Sequence, residues 1–307
     1  MAVISVVVPT LGADPALLRR CLEALRSEGG RELEVVLVAQ GGRAIELPAV
    51  LVDRHFELPR NLGFARATNL GIAASSGEVI ATVNDDVVVE PGWLAQLQSV
   101  LATAPAVAVQ GVNLVLDRPE EVDGWGIGWN PALEAVQLGR GGAAPPLEAA
   151  PFEIFGVSAT AALYRREALE RAALEGGEVF DSRLGSYYED VELALRLRAA
   201  GGLALAVPAA RARHAGSATG KRMGLRRGIW LFGNRHLVLA RHLGSGFWRR
   251  WPGFFLRDLR HAGNALAQGD LTTALAVPLG WLRVLAKLRH FARRGGPLAA
   301  EGFPPGC

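Results

Sequence analysis

One short stretch constrains the fold more than any other, because an apolar run in it ends abruptly in acidic residues. Residues 77–86 read Gly-Glu-Val-Ile-Ala-Thr-Val-Asn-Asp-Asp, which predicts a buried strand followed by Asn84, Asp85 and Asp86. Neighbouring carboxylates repel each other, and a divalent cation bridging them to a phosphate removes that penalty. An Asx-type turn, in which Asn and Asp bond their own backbone, explains the same residues. The stretch alone leaves both interpretations open.

Strand-like and helix-like segments alternate around this stretch. Strands are predicted over residues 2–8, 34–39, 50–52, 79–83, 107–116, 156–164 and 203–207. Asp14 and Pro15 have the pattern of an N-cap and a first helical residue, and further helices are predicted over 91–101, 166–174 and 187–200, with another ending near Gly77. This order predicts an α/β fold with right-handed crossovers and a mostly parallel sheet flanked by helices. Ligands of such sheets bind beyond the carboxyl ends of the strands, where Thr10, Gln40 and Asp85 would lie.

The segment 117–151 stands apart from this alternation. It is predicted to be irregular, with Trp125 and Trp129 among glycines. A loop of this length within a domain is usually a lid or a binding loop.

The two cysteines and the apolar runs bear on the compartment. Cys21 and Cys307 do not make a disulfide framework, which favours a reducing environment. The start of the chain lacks the pattern of a secretory signal. The longest uncharged stretch of interest, residues 271–282, is shorter than the ~20 apolar residues of a membrane span and contains Pro278. We therefore expect a cytoplasmic protein without a spanning helix.

Charge is distributed unevenly along the chain. Residues 211–307 contain 17 Lys or Arg against 3 Asp or Glu, a formal +14, so residues 1–210 carry −11 of the total of +3. Aromatic residues are interleaved with the basic ones: Trp230, Phe232, Phe247, Trp248, Trp251, Phe254, Phe255 and Trp281. We predict a main domain over 1–220, with halves meeting near residue 110, and a basic helical region over 221–307. The composition of residues 222–307 suits an anionic membrane surface better than a nucleic acid, although a solvated helical subdomain explains it almost as well.

Several familiar sites are poorly supported. Residues 9–14 offer one glycine where a dinucleotide-binding loop needs three, and residues 216–222 lack the glycine spacing and the Ser or Thr of a P-loop. No zinc-type spacing of Cys and His and no nucleophile elbow is present. What remains is Asp85-Asp86, Glu189-Asp190 and His214. A metal would neutralise a diphosphate leaving group and a carboxylate would accept a proton from a hydroxyl, whereas a helix first turn and a structural histidine are the plainer explanations.

Longer motifs follow one another in an order that is typical of one enzyme family. They are Ser5–Thr10, Arg60–Phe64, Asn69–Gly71, Gly77–Glu78, Asn84–Asp86, Glu90–Leu94, Phe155–Gly156, Ala161–Leu169, Tyr188–Leu197, His214 and Gly233–Arg235. Together they resemble glycosyltransferase family 2 over residues 3–243, especially its rhamnosyltransferase-like branch. The resemblance implies a GT-A fold, a nucleotide-sugar donor, Mg²⁺ or Mn²⁺, and inversion at the anomeric carbon by one displacement.

The resemblance also implies roles for single residues. Asp86 matches the metal-binding acid of the family's Asp-x-Asp motif, with Asn84 and Asp85 at its first and middle positions. Asp190 matches the catalytic base, with Glu189 as the less favoured candidate, and His214 matches a metal or diphosphate ligand. The donor-binding residues that it implies are Pro9, Thr10, Arg60, Asn61, Gly63 and Asn69.

One departure from the family affects the donor. Residues 39–42 read Ala-Gln-Gly-Gly where an acid is expected to bind the base or ribose, and Gln40 can hydrogen-bond a base edge instead. The missing acid supports an alternative, a catalytically silent sugar-nucleotide-binding relative, and a nucleotidyltransferase is a third possibility. The intact Glu189-Asp190 pair favours the enzyme. We expect it to add a hexose such as rhamnose to a glycan or polyprenyl-linked acceptor, at the cytoplasmic face of a membrane and without a nucleic-acid partner.

Overall fold

The computed structural model of the protein describes residues 4–29, 33–42, 45–216 and 218–292, and describes 218–223 and 292 by their backbone alone. Cys307 lies outside these residues. The strands are β1 (Ile4–Thr10), β2 (Leu33–Gln40), β3 (Arg54–Leu58), β4 (Val79–Val83), β5 (Val87–Val89), β6 (Ala106–Val115), β7 (Arg118–Gly124), β8 (Ile127–Trp129), β9 (Ala135–Gln137), β10 (Phe152–Ile154), β11 (Ala161–Arg165) and β12 (Leu203–His214). The α-helices are α1 (Pro15–Gly29), α2 (Phe64–Ala74), α3 (Trp93–Thr103), α4 (Arg166–Arg171), α5 (Glu189–Ala199), α6 (Ala218–Leu243), α7 (Ser245–Ala267) and α8 (Leu271–Ala292).

The main sheet has the order β10-β12-β6-β11-β4-β1-β2-β3. Strands β4, β1, β2 and β3 are parallel neighbours, and β12 is parallel to β6. Because β11 is antiparallel to both β4 and β6, the two parallel groups point the same way, and only β11 and β10 oppose them among the described strands on this path. The prediction of an α/β fold with a mostly parallel sheet flanked by helices is confirmed.

Alternating side chains of β1 explain how helices come to cover both faces of the sheet. Val6 and Val8 share a buried cluster with the apolar stripe of α1, whereas Val7 shares one with α2. Asp14 caps α1 as predicted, since Leu17 N donates to its carboxylate at 3.0 Å. On the other face Gly71 of α2 lies so close to β1 that a Cβ there would be 2.3 Å from the Val7 side chain.

Two sequence predictions about the strands are wrong in detail. Residues 50–52 do not form a strand, because Pro48 begins the 3₁₀ turn Ala49–Leu51 and the strand follows as β3. The segment 117–151 is not irregular throughout, since it contains β7, β8 and β9. The sequence of β7 is too polar to be recognised as a strand. Among the described strands β7 pairs with β6, and its residues Arg118–Glu120 are exposed to solvent.

Two further boundaries differ from the prediction. The strand predicted over 156–164 begins only at Ala161, and β12 runs past residue 207 to His214. A register shift between Val207 and Arg211 lets β12 continue beside β6 after Pro208, which lacks the amide hydrogen a regular ladder needs. The extension of β12 matters for the site because it carries His214.

The helices after β12 pack against the α/β part of the chain. A third buried cluster combines Val191 and Leu195 of α5 with Leu237 of α6, Phe247 of α7 and Val277 of α8. Gly224, with φ of 45°, interrupts the regular path of α6 near its start. The basic region predicted from composition therefore shares its core with the helix that carries Glu189 and Asp190.

Helix α8 contradicts the expectation that no apolar run is long enough to cross a membrane. Residues Leu271–Phe291 meet the length and composition of a span, and 28% of the most apolar window is buried against the protein. The prediction failed because it counted only the uncharged residues 271–282, whereas α8 continues through Pro278 and beyond Arg283 to Ala292. Core helices of soluble proteins have the same length and composition, so this property alone does not assign a membrane role.

Candidate active site

A cavity of about 670 Å³ opens at the carboxyl ends of β1, β2 and β4. Its wall contains most of the residues predicted for the site: Pro9, Thr10, Gln40, Asn61, Asn84, Asp85, Asp86, Glu189, Asp190 and His214. Acidic residues that are distant in sequence thus line one space, at the edge where parallel sheets bind their ligands.

The turn after β4 aims Asp86 at the end of β12. Asn84 N donates to Thr160 O at 2.8 Å, and Val87 N donates to Asn84 O at 3.2 Å, which closes the turn. Strand β5 then pairs antiparallel with β12, placing Val87 opposite His214. As a result Asp86 Oδ1 lies 3.2 Å from His214 Nε2. The turn is closed by a main-chain bond, and it presents the acids to the cavity.

Asp85 is held by the end of β1. The hydroxyl of Thr10 donates to its carboxylate and accepts a hydrogen bond from Gly12 N at 2.9 Å. Burial raises the pKa of Asp85 to about 6, with the neighbouring charge of Asp86 adding to the effect and the Thr10 bond opposing it. Thr10 therefore fixes Asp85, while Asp86 faces the histidine.

Asp123, which the sequence analysis missed, orients His214. Its Oδ2 lies 2.8 Å from His214 Nδ1, and its other oxygen accepts a bond from Arg140 at 2.9 Å. Burial disfavours the imidazolium, but hydrogen bonds and charge from Asp123 and Asp86 outweigh it and raise the pKa of His214 to about 9. The only sequence signal for β7 at this point was Val122 between two acids.

The pair of Asp86 and His214 fits a divalent cation. His214 Nε2 is buried without a well-directed hydrogen bond, and a carboxylate holds Nδ1, as is usual for a histidine that binds a metal. Within residues 4–29, 33–42, 45–216 and 218–292, no group of three or more His, Cys, Asp or Glu side chains forms a complete metal site. Two protein ligands suffice for a cation that takes its remaining ligands from phosphate and water.

The loop before α5 sets the orientation of Asp190. Tyr187 and Tyr188 both have φ of 70°, a left-handed conformation that is costly for a bulky side chain. Asp190 Oδ1 accepts a bond from Val191 N at 2.8 Å, and Oδ2 accepts bonds at 3.3 Å from Ser158 Oγ and Ala159 N. Burial raises the pKa of Asp190 although these bonds oppose it. The carboxylate is oriented and prefers a proton more than an exposed aspartate does.

Glu189 differs from its neighbour. It is 7% exposed, and its Oε2 is buried without a hydrogen-bond partner. Burial, followed by the charge of Asp190, raises the pKa of Glu189 well above its ordinary value. Asp190 is thus the better oriented of the two carboxylates on the cavity wall.

Asn234 of α6 supports the same loop from outside the cavity. Its side-chain nitrogen lies 3.0, 3.0 and 2.8 Å from the carbonyl oxygens of Leu184, Ser186 and Tyr187. Its oxygen accepts a bond from Arg283 of α8 at 3.0 Å. In the sequence Asn234 stands out only as part of the motif Gly233–Arg235, because the neighbouring residues do not show which backbone groups its amide contacts.

Two predicted donor-binding residues contact other parts of the protein. The amide of Asn69 bonds both the N and the O of Phe180, at 2.9 and 2.7 Å, and does not line the cavity. Gly63, also outside the lining, approaches Gly185 so closely that a Cβ would be 2.7 Å from its carbonyl oxygen. Gly63 and Asn69 thus brace the segment that leads to Asp190.

Arg60, Asn61 and Gln40 are the other residues predicted to bind the donor nucleotide. Arg60 is exposed and outside the lining, whereas Asn61 lines the cavity and caps Gly63 N at 2.9 Å. Gln40 is 5% exposed and accepts a bond from Leu62 N at 2.9 Å, which leaves its amide nitrogen to address a ligand. Their roles in donor binding stay predictions.

Two solved structures share this architecture. A crystal structure of GalNAc-T7 with UDP, GalNAc and Mn²⁺ has a TM-score of 0.62 at 17% identity, over 100% of this chain and 60% of that one. The mannosyltransferase PcManGT from Pyrobaculum calidifontis, in complex with GDP-Man and Mn²⁺, has a TM-score of 0.51 at 17% identity, over 94% of this chain and 75% of that one. This chain spans about 60% of the length of the GalNAc-T7 chain. At this identity the likeness shows a shared fold, of the GT-A type.

Sequence comparison identifies the family. A search of curated proteins found no match. The profile described as Glycosyl transferase family 2 matches residues 5–172, more than half of the chain, and covers β1 to α4 with the turn that carries Asp85 and Asp86. The chain therefore belongs to glycosyl transferase family 2.

Proposed function

We propose that the protein is a metal-dependent, inverting glycosyltransferase that moves a sugar from a nucleotide diphosphate to a hydroxyl group of an acceptor. The observation that carries the proposal is that the Asp86–His214 pair and the carboxylate of Asp190 line one cavity of about 670 Å³. UDP in one structure of similar fold, GDP-mannose in the other and Mn²⁺ in both support the donor class and the metal.

The residues divide into two groups by role. Asp86 and His214 would hold Mg²⁺ or Mn²⁺, which when bound neutralises charge on the departing diphosphate. Asp190 accepts the proton of the acceptor hydroxyl as its oxygen bonds to the anomeric carbon and the bond from that carbon to the diphosphate breaks. Attack opposite to the leaving group inverts the anomeric centre. Ser158 and Ala159 keep the receiving oxygen of Asp190 oriented.

Two features of the sequence bear on the identity of the donor. The motifs that resemble the rhamnosyltransferase-like branch support rhamnose or another hexose, and Gln40 in place of the expected acid alters the contact with the base. A silent nucleotide-sugar binder would bind donor without transfer, and a nucleotidyltransferase would release pyrophosphate from a nucleoside triphosphate. Product analysis with a panel of nucleotide sugars and acceptors, with and without Mn²⁺, separates the three.

Metal-dependent donor binding is the first prediction. A matching nucleotide sugar with Mn²⁺ should stabilise the wild-type protein by about 2.7 kcal/mol at a hundred times its dissociation constant. Asp86→Ala should lose most of this gain because it removes one of the two protein ligands, and EDTA should remove it from the wild type. Thermal unfolding measures the effect. Glu120→Ala, which changes an exposed acid on β7, is the control and should keep the full gain. A gain independent of both metal and Asp86 would contradict the metal assignment.

We also propose that α7 and α8 dock on an anionic membrane surface beside a lipid-linked acceptor, at the cytoplasmic face. Large apolar side chains are exposed on both helices: Trp248, Leu256, Leu259, Leu266, Leu271, Leu275, Leu282 and Leu285. The leucines of α8 recur at helical spacing, and α7 adds the exposed Arg249 and Arg250 beside Trp248. Exposed apolar area next to basic side chains is the composition of an interfacial helix.

Vesicle binding tests this second part. The wild-type protein should sediment with vesicles of phosphatidylserine and phosphatidylcholine, and less so in high salt. The double variant Leu275→Gln and Leu282→Gln should remain in the supernatant, because both side chains are more than half exposed and lose apolar area for insertion. Val50→Gln is the matched control, because Val50 is also exposed and apolar but lies far from α7 and α8 in the sequence. Failure of the wild type to sediment with anionic vesicles ends this proposal.

A further inference from the structure

Arg227 places a positive charge on the cavity wall that the proposed reaction does not use. It projects from α6, and its Nε is buried without a hydrogen-bond partner. Its guanidinium lies over the ring of Tyr187, 5.7 Å from the ring centre, and both residues line the cavity that contains Asp190. A buried guanidinium donor without an acceptor is costly for a protein and points to a ligand that supplies the acceptor.

Two other arginines of the C-terminal helices are already hydrogen-bonded within the protein. Arg241 bonds Asp181 and Glu192, and Arg283 bonds Asn234 and Leu184 O. Across the described residues, by contrast, no ion pair involves Arg227. Its charge therefore remains available to the cavity, where an anion would be paired in a partly desolvated setting.

The position of Arg227 assigns the anion to the acceptor side. Tyr187, on which it stacks, precedes Asp190 by three residues, so the arginine and the base belong to the same wall. The cation ligands come from other elements, the turn after β4 and the end of β12. Trp230, one helical turn beyond Arg227, adds a flat apolar surface to the same wall.

We infer that Arg227, braced by Tyr187, binds a phosphate group of the acceptor and thereby brings the acceptor hydroxyl to Asp190. This inference rests on the proposed transferase function and names the class of acceptor, a phosphate-linked or diphosphate-linked glycan or lipid. The planar guanidinium can donate two parallel hydrogen bonds to two phosphate oxygens, whereas a lysine ammonium acts as a point charge without this fixed geometry.

A binding experiment without turnover tests the inference. Phenyl phosphate is titrated into the full chain in EDTA, so that no cation contributes, and binding is followed by ³¹P NMR. The wild type should bind it, and Arg227→Met should weaken binding about tenfold or more, the scale of a lost charge-assisted bond. Arg260→Met, which removes an exposed arginine of α7 outside the cavity lining, is the matched control and should retain binding. Arg227→Lys keeps the charge without the fork and should fall between them.

The results that would contradict the inference differ from the result that would contradict the proposed function. If wild-type protein does not bind phenyl phosphate, or if Arg260→Met weakens binding as much as Arg227→Met, the assignment of Arg227 is wrong. Competition of phenyl phosphate with UDP and Mn²⁺ would place the phosphate in the donor site and overturn the acceptor assignment. Because the readout does not involve transfer, an inactive protein that still binds phenyl phosphate through Arg227 would refute the proposed function and leave this site standing.

Discussion

Asp190→Asn should slow sugar transfer severely and leave donor binding intact. We expect kcat to fall by about 10²- to 10⁴-fold, the contribution of a positioned general base. The amide has the shape of the carboxylate, its oxygen can still accept the bond from Val191 N, and the loop keeps its support from Asn234. It cannot take up a proton from the acceptor hydroxyl. Initial rates of transfer, together with thermal stabilisation by nucleotide sugar and Mn²⁺, measure the two halves of this expectation.

Glu189→Gln is the informative companion, because Glu189 is the alternative base and lies next in sequence. Its Oε2 has no partner, so the amide removes no hydrogen bond at that atom. We expect this variant to keep most of its activity. Loss of activity in Glu189→Gln with retention in Asp190→Asn would reverse the assignment.

The acid side of the pH profile gives a further check on the same assignment. Only ionised Asp190 can accept a proton, and burial raises its pKa above the ordinary aspartate value of 3.8. Activity in the wild type should therefore fall with decreasing pH at a point above that value.

Arg241→Met should destabilise the protein by about 3 kcal/mol, the lower end of the range for breaking a buried ion pair. The guanidinium bridges Asp181 and Glu192, each of which has a fully buried side chain. Arg183 and Arg196 remain beside these carboxylates and moderate the loss. Chemical denaturation measures the free energy of unfolding. Arg250→Met, an exposed arginine on α7, is the control and should change it little.

The pH dependence of this loss has a definite sign. Burial opposes ionisation of Asp181 and Glu192, but their arginine partners outweigh it and lower both pKa values in the folded state. Such carboxylates stabilise the fold above their unfolded pKa values and lose that contribution as the pH falls through the folded ones. The difference between wild type and Arg241→Met should be largest above about pH 5 and shrink in acid. An equal difference at pH 3 and pH 7 would contradict the role of the two carboxylates.

Local signals in the sequence predicted the central part of the fold well. The β-branched run of β1, the cap at Asp14 and the apolar stretch before Asp85 each lie within a few consecutive residues, so their periodicity and turn chemistry are visible without a structure. The same reasoning placed Thr10, Gln40 and Asp85 at one edge of the sheet, because parallel strands collect their ends there.

The parts that escaped prediction depend on contacts between distant segments. Asp123 reaches His214 through a polar edge strand, and Asn234 reaches the loop before α5 from a helix more than forty residues later. Neither residue has a local pattern that differs from an ordinary surface polar residue. The length of α8 was underestimated for another reason, since only the uncharged residues 271–282 were counted and the helix continues beyond Arg283.

The contacts of Asn234 with three carbonyl groups make the loop before Asp190, the proposed base, dependent on a helix outside residues 5–172, which the family profile matches. Helices α6 and α8 therefore support the candidate active site structurally. A truncated chain that ends after β12 would lack these contacts, as would a chimera with the terminal helices of another family member. Neither would hold Tyr187 and Tyr188 in their left-handed conformations by the contacts seen here, and the orientation of Asp190 would change with them.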